Sequence, residues 1–126
     1  MAELSNAILQ ITLTSDSSEG DVEARVDVGL TPFEQNLINL LGLSLELSCA
    51  LRGADIFDNT QFNFEPQIVT GSNTHTFARR LPKSVLNEDS LPGDGDELYA
   101  RYRLVSVEPI FPVNIERDSS EVHLSL

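Results

Sequence analysis

Five carboxylates crowd into one short stretch of this chain: Glu88, Asp89, Asp94, Asp96 and Glu97, in the segment NEDSLPGDGDE. A supply of hard oxygen ligands of this kind suits calcium. The spacing departs from the helix–loop–helix calcium template, because the fifth position is Leu91 when counted from Asn87 and Leu98 when counted from Asp94. Neither leucine can ligate through its side chain. A calcium site here would have to draw on a second loop, and Asp55 and Asp58 are the candidates. The alternative is a solvated acidic turn in which Gly93 and Gly95 supply positive φ.

Other chemistries find less support. His75 and His123 are the only histidines and no His-x-His or His-x-x-x-His spacing occurs, so zinc or iron would need both plus distant carboxylates. Each is expected to be a surface or hydrogen-bonded strand histidine. Cys49 is the only cysteine, which rules out an internal disulfide, and its place in an alternating apolar run points to a buried, inert thiol. There is no G-x-S-x-G elbow, and Ser72 in Thr70–Asn73 reads as turn chemistry. The glycines of GDGDE are ringed by carboxylates that would repel a phosphate. The chain has no tryptophan and two tyrosines, so it lacks the usual aromatic platform for sugars. The expectation is a protein without catalytic residues and without a bound cofactor, calcium excepted.

Two apolar pairs sit where turn residues are expected. Ile56–Phe57 lies between Asp55 and Asp58, and Ile110–Phe111 lies between Pro109 and Pro112. A large apolar pair in a loop either folds back onto the core or meets another molecule. These four residues are the candidates for an interaction site.

The elements that would position these loops are mostly strands. Leu98, Ala100, Tyr102 and Leu104 alternate with Tyr99, Arg101, Arg103, Val105 and Val107, a period of two that marks a half-buried antiparallel strand. The change from arginines to valines on the second face predicts a central strand covered on both sides in its later half. Similar alternation runs through Ala7–Thr14, Val22–Gly29 and Leu43–Arg52, and the first two should pair as neighbours. Gln61–Val69 carries Phe62 and Phe64 on one face with Pro66 interrupting, which argues for an edge or a bulge. Thr74–Leu81 is a weaker strand, EPIFPVNIE a bend, and Glu121–Leu126 a final strand.

One helix is predicted over residues 32–41. Thr31 is a good N-cap, Pro32 suits the first helical position, Glu34 completes a capping box and Gly42 stands at the left-handed C-cap. Phe33, Leu37, Leu40 and Leu41 share one face, widened by Ile38. A helix this short does not hold alone in water, so the face should be packed, either on the sandwich or against a partner subunit. The sum is a single all-β domain over 1–126, an antiparallel β-sandwich or barrel of about eight short strands with one short helix.

With 126 residues and 40% hydrophobic content, the chain can fill one core. Twenty acidic residues face eight basic ones, of which only Lys83 is a lysine, for a net charge of −12. Such a domain repels nucleic acid phosphates and anionic lipid, and no nucleic-acid or membrane partner is expected. Excess acid with arginine in place of lysine fits a halophilic setting, where salt screens self-repulsion, and equally an ordinary acidic protein from a GC-rich genome. The start MAELSNAILQ lacks the basic region and apolar run of a signal peptide, so synthesis in the cytoplasm is expected. Small size and the lack of catalytic motifs lead to the expectation of a structural, assembly protein that docks into a homo-oligomer or larger complex. A virion component such as a capsid decoration or tail protein is its concrete form, and a calcium-dependent binding module is the alternative.

Overall fold

The computed structural model describes residues 1–54, 59–87, 96–108 and 112–124, and only the backbone of Asp96. In chain order the elements are β1 (Glu3–Leu13), β2 (Glu19–Gly29), α1 (Pro32–Leu41), β3 (Leu45–Gly53), β4 (Asn59–Asn63), β5 (Gln67–Val69), β6 (Thr74–Pro82), α2 (Lys83–Leu86), β7 (Asp96–Ser106), β8 (Asn114–Asp118) and β9 (Val122–Leu124). They form the expected all-β antiparallel sandwich. One sheet has the order β1-β2-β6, and the other runs β4-β3-β7-β8, with β5 also on β3 and β9 also on β7.

The small sheet is built on a hairpin with a fault in it. β1 and β2 pair from Leu13↔Gly20 back to Ile8↔Arg25, then slip in register between Ser5 and Ile8, where Asn6 takes a left-handed φ of 51°. A one-residue slip turns every later side chain to the opposite face. Ala2 and Leu4 are buried on one side of the slip and Leu9 on the other, so β1 keeps apolar residues inward along its whole length. At the other end of the hairpin the Asp16 carboxylate accepts hydrogen bonds from the Ser18 amide and from the hydroxyls of Ser18 and Thr14. These hold its pKa down at about 2.

In the larger sheet β3 and β7 are the central pair. Leu45, Leu47, Cys49 and Leu51 point inward and pair across the strands with Ser106, Leu104, Tyr102 and Ala100. Val22, Ala24, Val26 and Val28 face them from β2, and Phe77 and Leu81 from β6. An aromatic chain links the sheets: Phe62 meets Phe64 edge to face at 5.1 Å between centroids, Phe64 lies 5.9 Å from Phe77, and Phe77 lies 6.4 Å from Tyr102. Tyr102, fully buried, reaches through the core to the far sheet, where its hydroxyl lies 2.7 Å from the Ile8 carbonyl oxygen and 3.1 Å from that of Arg25.

Several expectations are revised. Gln61–Val69 is not one strand but two, β4 and β5, both paired with β3 and separated around Pro66, which has no amide to donate to a ladder, while the expected edge position and bulge are found at β4. The bend expected between Pro109 and Pro112 falls largely outside the described residues, but just after it Asn114–Asp118 pairs with β7 as β8, a strand not expected from the sequence. A second helix, α2, follows β6 for a single turn and buries Leu86, whose Cδ1 sits 2.7 Å from where a Cβ on Gly20 would be. Val107 is 55% exposed, so the later half of β7 is not covered on both faces; on its outward face it is Tyr99, near the start, that is buried.

The Tyr102 hydroxyl donates to carbonyls at the first paired residues after the slip in β1. Tyr102→Phe keeps the ring and removes the donor, and should cost about 1 kcal/mol, the net worth of an ordinary hydrogen bond. A lower urea midpoint with an unchanged slope is the expected reading; an unchanged midpoint would mean that the contact contributes nothing.

Candidate functional site

The loops singled out from the sequence fall largely outside the described residues. This holds for Asp55, Ile56, Phe57 and Asp58, for Glu88, Asp89 and Asp94, and for Ile110 and Phe111. Asp96 opens β7, its backbone paired with Leu124. Glu97 follows on the exposed side of that strand, its carboxylate 3.7 Å from the Nδ1 of His123 on β9. Among the described residues no group of three or more His, Cys, Asp or Glu side chains gathers as a metal site. Cys49 is buried in the core, where desolvation pushes its thiol up to about 12. Its sulfur stays a protonated, apolar filler at ordinary pH.

The two histidines lie apart, on different sheets. His75 points from β6 toward β5, where Gln67 clasps it. The Gln67 amide nitrogen donates to the Thr76 carbonyl at 2.8 Å, which turns its oxygen toward His75 Nδ1, also at 2.8 Å. Nδ1 therefore carries the proton, and the enclosed Nε2 has no hydrogen-bond partner. Beside this pair a cleft of about 260 Å³ opens between β6 and the β4–β5 connection, with Phe62, Phe64 and Phe77 lining it and the Arg79 guanidinium 5.3 Å above the Phe62 ring.

Several arginines of the outer faces are engaged by neighbouring strands. Arg101 binds Asp118 through two hydrogen bonds of 2.9 and 3.2 Å, Arg103 donates to Asn114, and Arg80 pairs with Asp21 at 2.7 and 3.0 Å. Arg52 donates to the Tyr99 and Thr60 hydroxyls. These guanidiniums are held flat along the sheets by cross-strand partners.

Helix α1 stands out against this background. Its ends are formed as the sequence predicts: the Thr31 hydroxyl accepts from the Glu34 amide, the Glu34 side chain returns to the Thr31 amide, and Gly42 closes the helix at φ 66°. The side that packs is not the predicted one. Glu34 and Ile38, four residues apart, face the protein, and Leu37 is half-buried. The Glu34 carboxylate accepts the Ala2 amide at 2.8 Å, the Thr31 amide at 2.9 Å and the Thr31 hydroxyl at 3.0 Å. Burial alone would raise its pKa, and these hydrogen bonds more than offset that and leave it below the ordinary carboxylate range. Gln35 adds a bond to the Thr70 carbonyl.

With the helix tethered by that edge, the apolar face turns away by about 100°. Phe33 is 71% exposed, Leu40 81% and Leu41 55%. The expectation that this face is packed within the sandwich is thereby corrected. Of the seven large apolar side chains exposed among the described residues, five are Phe33, Leu40, Leu41, Ile68 and Val107. Ile68 lies opposite Glu46 near the start of β3, and the Val107 amide donates to Ser44, so both sit at the end of the larger sheet from which α1 departs. The exposure is concentrated rather than scattered.

No family model matches the chain, and no curated protein matches it in sequence. Among solved structures it is similar to a protein described as ApaA from Bordetella pertussis, with a TM-score of 0.51 and 11% identity over 99% of this chain and 94% of that one. It is also similar to a protein from Archaeoglobus fulgidus (TM-score 0.49, 15% identity, 98% and 99% covered) and to a protein described as late embryogenesis abundant (0.49, 18%, 98% and 70%). The first likeness, at that identity, speaks to the fold alone.

Burial holds the pKa of His75 below its ordinary 6.5. Protonation would put a charge on a ring whose Nε2 has no acceptor. The unfolded chain takes up the proton first, so stability is full above about pH 6.5 and falls as the pH drops toward the folded-state pKa. Urea midpoints should therefore hold above about pH 6.5 and decline as the pH falls below it, and His75→Gln should flatten most of that slope. An unchanged slope in the variant would assign the effect to other groups.

Proposed function

We propose that this chain is a non-catalytic assembly domain: a β-sandwich that presents a short, rigidly capped helix to a protein partner. One observation carries the reading, the outward apolar face of α1. A helix of ten residues is marginal in water, and its stability normally comes from burying just such a face. Here the capping box, the Glu34 tether and the Gly42 C-cap hold the helix while Phe33, Leu40 and Leu41 stay in solvent. Covering each of these side chains fully would contribute about 1.5–3 kcal/mol to an association. Phe33, Leu37, Leu40 and Leu41 stand at the i, i+4, i+7 and i+8 positions by which a helix is read in a groove or against another helix.

The acidic, cross-linked outer faces support the same division of labour: they favour solubility and discourage contact everywhere except at α1. The virion subunit suggested by the sequence is one instance of such an assembly protein.

The test is made in the cell of origin. A chain carrying the photoreactive benzoylphenylalanine at position 33 or 40 should yield, on irradiation, a discrete adduct heavier than the chain, while the same group at position 116 on β8 should not. If positions 33 and 40 give no more adduct than position 116, the assembly reading fails.

A further inference from the structure

We infer that the partner of the α1 face is a second copy of this chain, seated across a two-fold axis so that the two α1 helices pack antiparallel. This rests on the assembly reading and goes beyond it in naming the occupant.

The first argument is charge. With a net charge of −12, two copies repel wherever their carboxylates meet. From Leu30 to Leu45 the only charged residue is Glu34, and its carboxylate is turned inward onto the Ala2 and Thr31 amides. The outward side of α1 is leucine, phenylalanine and neutral amide. It is the surface on which a like-charged molecule can settle without bringing carboxylates together. A basic partner would gain nothing there and would be drawn instead to the acidic faces.

The second argument is self-complementarity. A two-fold interface needs one patch that fits itself. The helix is about 15 Å long, with Phe33 at one end of its apolar stripe and Leu40 and Leu41 at the other. In an antiparallel pair Phe33 of each copy lies over Leu40 and Leu41 of the other, and Leu37 falls near the axis. Asn36, exposed beside the stripe, offers both a donor and an acceptor to the opposing copy.

The third is area. At the exposures observed, Phe33, Leu40 and Leu41 present roughly 400 Å² of surface, about half of what one partner of a standard-size interface buries. The result is a concentration-dependent dimer that salt strengthens by screening the charge of the remaining surface.

Sedimentation equilibrium of the whole chain from about 1 µM to 1 mM, in dilute and in molar salt, should show monomer and dimer, with more dimer at higher concentration and higher salt. Phe33→Asp and Leu40→Asp should each weaken the dimer at least tenfold without changing the melting profile. Leu37→Cys should form a disulfide-linked dimer on mild oxidation, and Glu116→Cys should not.

A monomer at every concentration and salt, with no linkage through Leu37→Cys, would overturn the second-copy inference. The assembly reading would survive that result if the photoadduct has a mass other than that of two chains, and would fall with it if no adduct forms. A dimer that withstands Leu40→Asp and fails to link through Leu37→Cys would place the interface elsewhere and also overturn the inference. Unfolding of both aspartate variants, together with no Leu37→Cys linkage, would assign the face to the core and remove both conclusions.

Discussion

The Tyr102 hydroxyl, arriving from the larger sheet, meets the smaller one at the carbonyls of Ile8 and Arg25, the first residues paired after the register slip in β1. Much else depends on this contact. β1 carries its apolar residues on even positions before the slip and on odd positions after it, and only a bulge at Asn6 lets both sets face inward. Asn6 itself lies on the exposed side, its side-chain amide donating to the Asp27 carboxylate, and regular pairing resumes at Ile8 and Arg25. A tyrosine at the centre of β7 bonds the carbonyls there at the cost of burying its hydroxyl, a cost offset because the hydroxyl is bonded. The same ring ends the aromatic chain through Phe77, Phe64 and Phe62 and so ties the centre of the fold to the cleft beside β6.

The acidic character of the chain is organised in space. Along the outer faces, arginines on β6 and β7 are laid against aspartates on neighbouring strands, as in Arg80–Asp21 and Arg101–Asp118. Exposed pairs of this sort contribute little individually to stability. Their effect here is on shape: these arginines are engaged by neighbouring strands, and the excess carboxylates remain in water. Against that uniform acidity the uncharged stretch around α1 is the exception.

The sequence makes some of this legible and hides the rest for physical reasons. Val22–Val28 and Leu45–Leu51 alternate so regularly that strand, face and burial can all be read directly. The ends of α1 are legible because capping is local chemistry among residues 31–42. Which side of that helix packs is not legible, because the decision rests with Glu34, a residue that hydropathy assigns to solvent. Its burial depends on the amide of Ala2, 32 positions away. β8 is hidden for a related reason: an edge strand of NIERD has almost no apolar face, and what recruits it is the ladder with β7 and the arginines Arg101 and Arg103. Pro66 marks an interruption in the sequence, but not that both flanking pieces return to the same neighbour, β3. The loop pairs Ile56–Phe57 and Ile110–Phe111 and the acidic run from Glu88 to Asp94 lie outside the described residues, so the apolar surface that the structure does show is the α1 face, for which the sequence leaves packing on the sandwich or against a partner open.

Glu34 also explains why the helix can expose leucines without rolling over to bury them. Rotation of α1 by about 100° would bring Phe33, Leu40 and Leu41 toward the sandwich. It would also withdraw the carboxylate from the amides of Ala2 and Thr31 and carry it out of the site where it is bonded. Those are charge-assisted bonds, stronger than neutral ones, and the capping box would open with them. An apolar residue at position 34 would remove the obstacle and let the helix choose the hydrophobic solution. The buried carboxylate thus sets the roll of α1, and through it determines that the apolar face of an otherwise acidic molecule is presented to solvent.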